Sequence, residues 1–174
     1  MSKWSKPGPY LIKYTEKTFI FKGPGFTEIA KAVTDKGKKI RFSARGTSMS
    51  PFIKDGDLIT VSPQKERRLK KGDIVAFYDP GHNHKLYVHR IIDIKKDRYQ
   101  IKGDNLLTPD GFFSLDKILG FISEVLRGGK KISFGIKWGA KEVSAFSRWG
   151  ILLPVLHVTR RVRAIFPGGY RAEK

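Results

Sequence analysis

Four side chains in this sequence have the types and spacing of hydrolytic chemistry. Ser48 lies in Gly46-Thr47-Ser48-Met49-Ser50-Pro51, ahead of an acidic glycine turn, Asp55-Gly56-Asp57. It falls in a turn at a strand end, and loops held by a rigid scaffold are where reactive groups sit. A serine hydroxyl is a poor nucleophile until a base takes its proton, and histidine is the usual base. Of the four histidines, His82 and His84 fall in the polar turn Gly81-His82-Asn83-His84 and His157 falls in a basic tail. The i, i+2 pair His82/His84 has no nearby ligand set to complete a metal site. His89 interrupts the apolar stretch Val88-His89-Arg90-Ile91-Ile92, where a polar ring needs a partner. Taken alone, that pattern is more often a satisfied core histidine than a base. Two carboxylates follow: Asp104 in Lys102-Gly103-Asp104-Asn105, and Asp110 in Thr108-Pro109-Asp110-Gly111. Either is a ready turn residue, and either could fix the tautomer of a catalytic histidine. Spacing does not choose between them.

The elements that must position these groups are mostly strands. Residues 1–38 read as a polar, Lys-rich lead-in with short strands at Tyr10-Leu11-Ile12 and Thr18-Phe19-Ile20-Phe21. A Gly23-Pro24-Gly25 turn then leads into a short helix over 26–35, with Ile29, Ala30 and Val33 at helical spacing and Gly37 as its stop. Residues 39–138 read as a compact, mainly β domain with coiled or barrel-like sheets. Its strands are expected at 39–45, 58–62, 73–78, 86–94, 99–102 and 118–126, with a Gly128-Gly129 hairpin leading into 131–138. Residues 139–174 read as a basic amphipathic helical tail. There Trp149, Ile151, Leu152, Leu153, Val155, Leu156, Val158, Val162, Ile165 and Phe166 have Arg148, Arg160, Arg161 and Arg163 among them, and Pro154 breaks or kinks the helix.

Composition narrows the partners. Thirty-five Lys and Arg stand against 16 Asp and Glu, a formal charge of +19. That excess attracts anionic partners, either an acidic membrane surface through the tail or nucleic acid. The single short helix makes a poor helix-turn-helix, which weakens the nucleic-acid reading. Cysteine is absent, which excludes disulfides, thiolate nucleophiles and Cys-based metal sites. Residues 1–21 lack the continuous apolar core of a signal peptide, and no stretch reaches the ~18 apolar residues of a spanning helix. The expected location is therefore cytoplasmic or peripheral to a membrane.

The motifs taken together resemble the signal peptidase I superfamily, which also includes the LexA-type self-cleaving repressors. The resemblance covers residues 39–126. It rests on Gly46-Thr47-Ser48-Met49-Ser50-Pro51, Asp55-Gly56-Asp57, Gly72-Asp73-Ile74-Val75, Val88-His89-Arg90 and Lys102-Gly103-Asp104-Asn105, in that order. It implies a β catalytic domain with Ser48 as nucleophile, and a serine endopeptidase acting on a peptide or preprotein with no cofactor. His89 stands where bacterial signal peptidases and the repressors carry a lysine base. This looks like the archaeal and endoplasmic-reticulum signal peptidases, which pair histidine with an aspartate. The resemblance places that aspartate at Asp110, with Asp104 as the second choice and as a support for the site. Gly46 replaces the serine that signal peptidases commonly carry there and is more like the repressors. The alternative function is accordingly a LexA-type self-cleaving regulator or DNA-associated protein.

Overall fold

In the computed structural model, residues 10–14, 17–21, 25–82 and 85–133 are described. One sheet dominates. In chain order its strands are β1 (Tyr10–Tyr14), β2 (Lys17–Phe21), β3 (Ile40–Ser43), β4 (Leu58–Pro63), β5 (Ile74–Asp79), β6 (Lys85–Lys95), β7 (Arg98–Lys102), β8 (Gly111–Ser114), β9 (Ile118–Arg127) and β10 (Lys130–Lys131). Their order across the sheet is β2-β1-β3-β4-β9-β5-β6-β7-β8, with β10 paired to β9, and all the pairings are antiparallel. The sheet curls into a half-barrel, the β architecture expected from the spacing of strands and turns.

The curl has local causes. Register shifts occur between Thr60 and Val61 against β9, between Ala76 and Phe77 against β9, and between Ile91 and Asp93 against β7. Such irregularities bend a strand and raise its twist. Gly120 permits the tightest approach: a Cβ there would stand 2.1 Å from Ser62 O. Curling covers both faces of the central strands, so β4 and β5 are buried almost throughout instead of alternating. One core cluster includes Phe42, Met49, Ile53, Ile59, Val61 and Val125; the other includes Val75, Phe77, Ile91, Ile101 and Phe121.

The helix α1 spans Phe26–Asp35, the range expected from its periodicity. It docks on the first core through Phe26 and Ala30, with the Phe26 ring edge-on to Phe42 at 5.0 Å. Strand β8 was not expected. It is only four residues long, every one of them is half-buried, and it lies at the sheet edge, so no period-2 pattern marks it. The tail and most of the strand expected at 131–138 lie outside the described residues, as do His84 and His157.

Candidate active site

Ser48 sits in the turn that joins β3 to β4. The Ser50 N–H donates to Thr47 O at 3.0 Å, and the Phe52 and Ile53 N–H groups both donate to Met49 O at 3.0 Å. Met49, Phe52 and Ile53 are buried in the first core, which pegs the turn from below while Ser48 stays half-buried at the surface. Two aspartates close it. Asp55 accepts the Gly46 N–H at 2.8 Å. Asp57 accepts the Lys54 N–H at 2.8 Å and both arms of Arg127 at 2.9 and 2.8 Å. The same Arg127 donates onward to Phe52 O at 3.1 Å, so the end of β9 grips the turn after the serine.

His89 comes from β6, opposite Val75 of β5. Its ring lies 6.0 Å from the rings of Phe77 and Tyr87, and its side chain is only 4% exposed. Nε2 lies 2.8 Å from Ser48 Oγ, and Nδ1 lies 2.8 Å from Asp110 Oδ2. An ionised carboxylate only accepts, so Nδ1–H donates to Asp110 and Nε2 is left to accept the Ser48 hydroxyl proton. Asp110 is placed by β8, the strand that the sequence did not reveal. Its N–H donates to Ile101 O at 2.9 Å, and Gly111 then opens β8 opposite Ile101.

Asp104 does not join this line. Its two oxygens accept Arg90 Nε and Nη2 at 2.8 and 2.7 Å, and both side chains are fully buried. Arg90 Nη1 donates to Gly72 O at 2.8 Å. Successive strand residues point to opposite faces, so His89 and Arg90 project to different sides of β6. The segment that carries Asp104 also reaches the Ser48 turn. The Asn105 N–H donates to Ser48 O at 2.7 Å, and Asn105 Nδ2 donates to Thr47 O at 3.2 Å. Gly103 makes room for this: a Cβ there would meet Ser48 O at 2.9 Å and Leu106 Cδ1 at 2.8 Å. Nearby, burial pushes the Lys102 ammonium below its ordinary pKa, and the Asp104 charge opposes that shift. Arg90, Asn105 and Arg127 were not assigned roles from the sequence. The legible signal was a charged Arg90 inside an apolar strand, since a buried charge demands a partner.

A groove of about 680 Å³ opens beside Ser48 and His89, with Phe42, Ala44, Ile53, Leu86 and Val88 forming its apolar lining. Strand β6 pairs with β5 along one edge, but with β7 only from Arg90 onward. Among the described residues, 85–89 therefore have no strand on their second edge, and these residues line the groove.

A mainly β chain that lines up a serine, a histidine and an aspartate through hydrogen bonds has the layout of a serine hydrolase site. The comparisons agree in kind. A family model described as Peptidase S24-like matches residues 14–123, and the chain belongs to that family. It is also similar to Signal peptidase IB of Staphylococcus aureus strains Mu50, N315 and MW2, at 33% identity over 67 residues in each case. That match covers 37% of this chain and 34% of the relative, so the chain spans about a third of the length of those proteins. Among the described residues, no helix is long and apolar enough to cross a membrane.

Proposed function

We propose that the protein is a serine endopeptidase of the signal-peptidase-like type, with Ser48 as nucleophile, His89 as general base and acid, and Asp110 as the carboxylate that orients it. The observation that carries this reading is the unbroken line Ser48 Oγ···Nε2 His89 Nδ1···Oδ2 Asp110, with 2.8 Å at each junction. An extended substrate lies along residues 85–89 of β6 and lays its side chains along the apolar groove, a common mode of peptide capture. His89 Nε2 takes the Ser48 proton as Oγ attacks the peptide carbonyl carbon. The developing oxyanion accepts the Ser48 N–H, which has no acceptor among the described residues. One such donor is worth about 3 kcal/mol. His89 then gives its proton to the leaving amine. Water, deprotonated in turn by His89, hydrolyses the acyl-enzyme and frees Ser48.

The likeness to Signal peptidase IB suits a preprotein substrate, and the lining by Phe42, Ala44 and Val88 suits apolar side chains beside the cut. The +19 charge suits work at an anionic membrane surface, with the basic tail as the contact. Gly46 favours the second reading, a self-cleaving regulator. The two separate kinetically: cleavage of an added peptide scales with enzyme concentration, whereas self-cleavage within one chain does not.

The test is covalent labelling by a fluorophosphonate, which serine hydrolases displace at fluoride. Wild type should label at Ser48 and Ser48→Ala should not. Asp110→Asn should slow labelling by about 10³–10⁴-fold, as expected when the imidazole loses its tautomer partner. Asp104→Asn should chiefly lower stability. Absence of labelling in wild type at mildly alkaline pH would sink the peptidase reading. Equal, small losses for both aspartates would remove Asp110 from the relay.

A further inference from the structure

We infer that Asn105 is a positioning residue that aims and strengthens the oxyanion donor, by holding the peptide group whose N–H belongs to Ser48. This rests on the reading of Ser48 as nucleophile. Thr47 C=O and Ser48 N–H belong to one peptide unit, and the one cis bond among the described residues is Ser50-Pro51. In a trans peptide the C=O and N–H point in opposite directions. Thr47 O accepts Asn105 Nδ2 at 3.2 Å and the Ser50 N–H at 3.0 Å. With two donors on the oxygen, the plane of the unit is set, and the Ser48 N–H is turned away from Asn105. That N–H has no acceptor among the described residues, as a donor held for a developing charge requires.

The grip is doubled on the other side of the serine. The Asn105 backbone N–H donates to Ser48 O at 2.7 Å, so one residue holds the carbonyl before the nucleophile's Cα and the carbonyl after it. Hydrogen bonds accepted at a carbonyl also polarise the amide, strengthening its N–H as a donor by roughly 10–30% per bond. Asn105 is itself anchored by its neighbours. Gly103 allows the close approach, and the Asp104 carboxylate is locked on buried Arg90. Asn105 touches neither His89 nor Asp110 in the hydrogen-bond network, so its effect is on the oxyanion side and not on the proton relay.

The experiment compares wild type, Ser48→Ala, Asn105→Asp and Asn105→Ala in fluorophosphonate labelling, resolving the probe's binding constant from the rate of the bond-forming step. In that step Ser48 Oγ bonds to phosphorus, fluoride leaves with the P–F electron pair, and His89 takes the hydroxyl proton. Asn105→Asp keeps the side chain's shape and the backbone N–H but sets an oxygen against Thr47 O. The bond-forming rate should fall about tenfold or more, with probe binding and the pH profile of labelling unchanged. Asn105→Ala should fall in the same direction, and thermal unfolding shows whether either variant is folded. The inference is overturned if Asn105→Asp reacts within twofold of wild type. It is overturned equally if the variants change probe binding or the pH profile while the bond-forming rate holds. Failure of wild type itself to label would remove the nucleophile reading, and this inference with it; a normal wild type with an indifferent Asn105 removes only the inference.

Discussion

Replacing Gly103 by alanine places one methyl group against the turn that carries Ser48. Its carbon would stand 2.9 Å from Ser48 O, about 0.5 Å inside the 3.4 Å where ordinary contact begins, and 2.8 Å from Leu106 Cδ1. Leu106 can rotate away. Ser48 O is backbone, and it is held by the Asn105 N–H at 2.7 Å, so it can retreat only by dragging the serine with it. Overpacking of this kind costs roughly 1–3 kcal/mol. At about 2–4 °C per kcal/mol for a chain of this size, the melting temperature should fall by about 2–12 °C. The activity should suffer out of proportion. Misplacing a reacting group by 1 Å costs about 10²-fold, so a shift of half that size should cost about tenfold. Gly25→Ala is the control, because its Cβ would meet Glu28 Oε2 at an ordinary 3.5 Å. Fluorophosphonate labelling rates and melting temperatures of the two variants decide the matter. A Gly103→Ala protein that labels at the wild-type rate would show that the Gly103 contact does not set the position of Ser48.

The Arg90–Asp104 pair gives a second prediction. Arg90→Met leaves a fully buried carboxylate without its partner and should cost about 3–5 kcal/mol in chemical denaturation, whereas Arg90→Met with Asp104→Leu should recover most of that. A double variant no more stable than the single would refute the pairing argument. Lys102 gives a pH dependence. Burial lowers its pKa in the folded state, so at alkaline pH the unfolded chain binds more protons than the folded one. Stability should therefore rise as pH climbs from the lowered value towards the ordinary lysine range, and the burial cost is present in full below that interval. Lys102→Met should flatten the rise; an unchanged pH profile would show that Lys102 is not its source.

The sequence disclosed the helix through its period and the buried strands as apolar runs bounded by turns. Apolar positions at helical spacing bounded α1, and the strand runs around Ile59, Val75, Ile91 and Ile122 were visible as such. Ser48 and His89 stood out because each breaks its surroundings, one as a serine before a turn and the other as a ring within an apolar strand. The choice between Asp104 and Asp110 was not legible locally. It depends on two non-local facts: Arg90 claims Asp104 from across the strand pair, and the pairing of β7 with β8 carries Asp110 to the imidazole. Likewise, nothing in the run from Ile118 to Arg127 says that it inserts between β4 and β5, because strand partners are chosen by long-range packing and not by local pattern.

That insertion bears on how the protein is made. In the sheet, β1–β4 flank the Ser48 turn and β5–β8 lead to His89 and Asp110, and among the described residues the two groups of strands are joined through β9. Of β1–β9 the ribosome releases β9 last, and pairings so distant in sequence form slowly because they must first overcome the entropy of closing long loops. Until β9 is in place, Ser48 and His89 thus belong to separate hairpin systems, and Arg127 has yet to reach Asp57. The order of synthesis thus keeps Ser48 apart from His89 and Asp110 until β9 takes its place between β4 and β5.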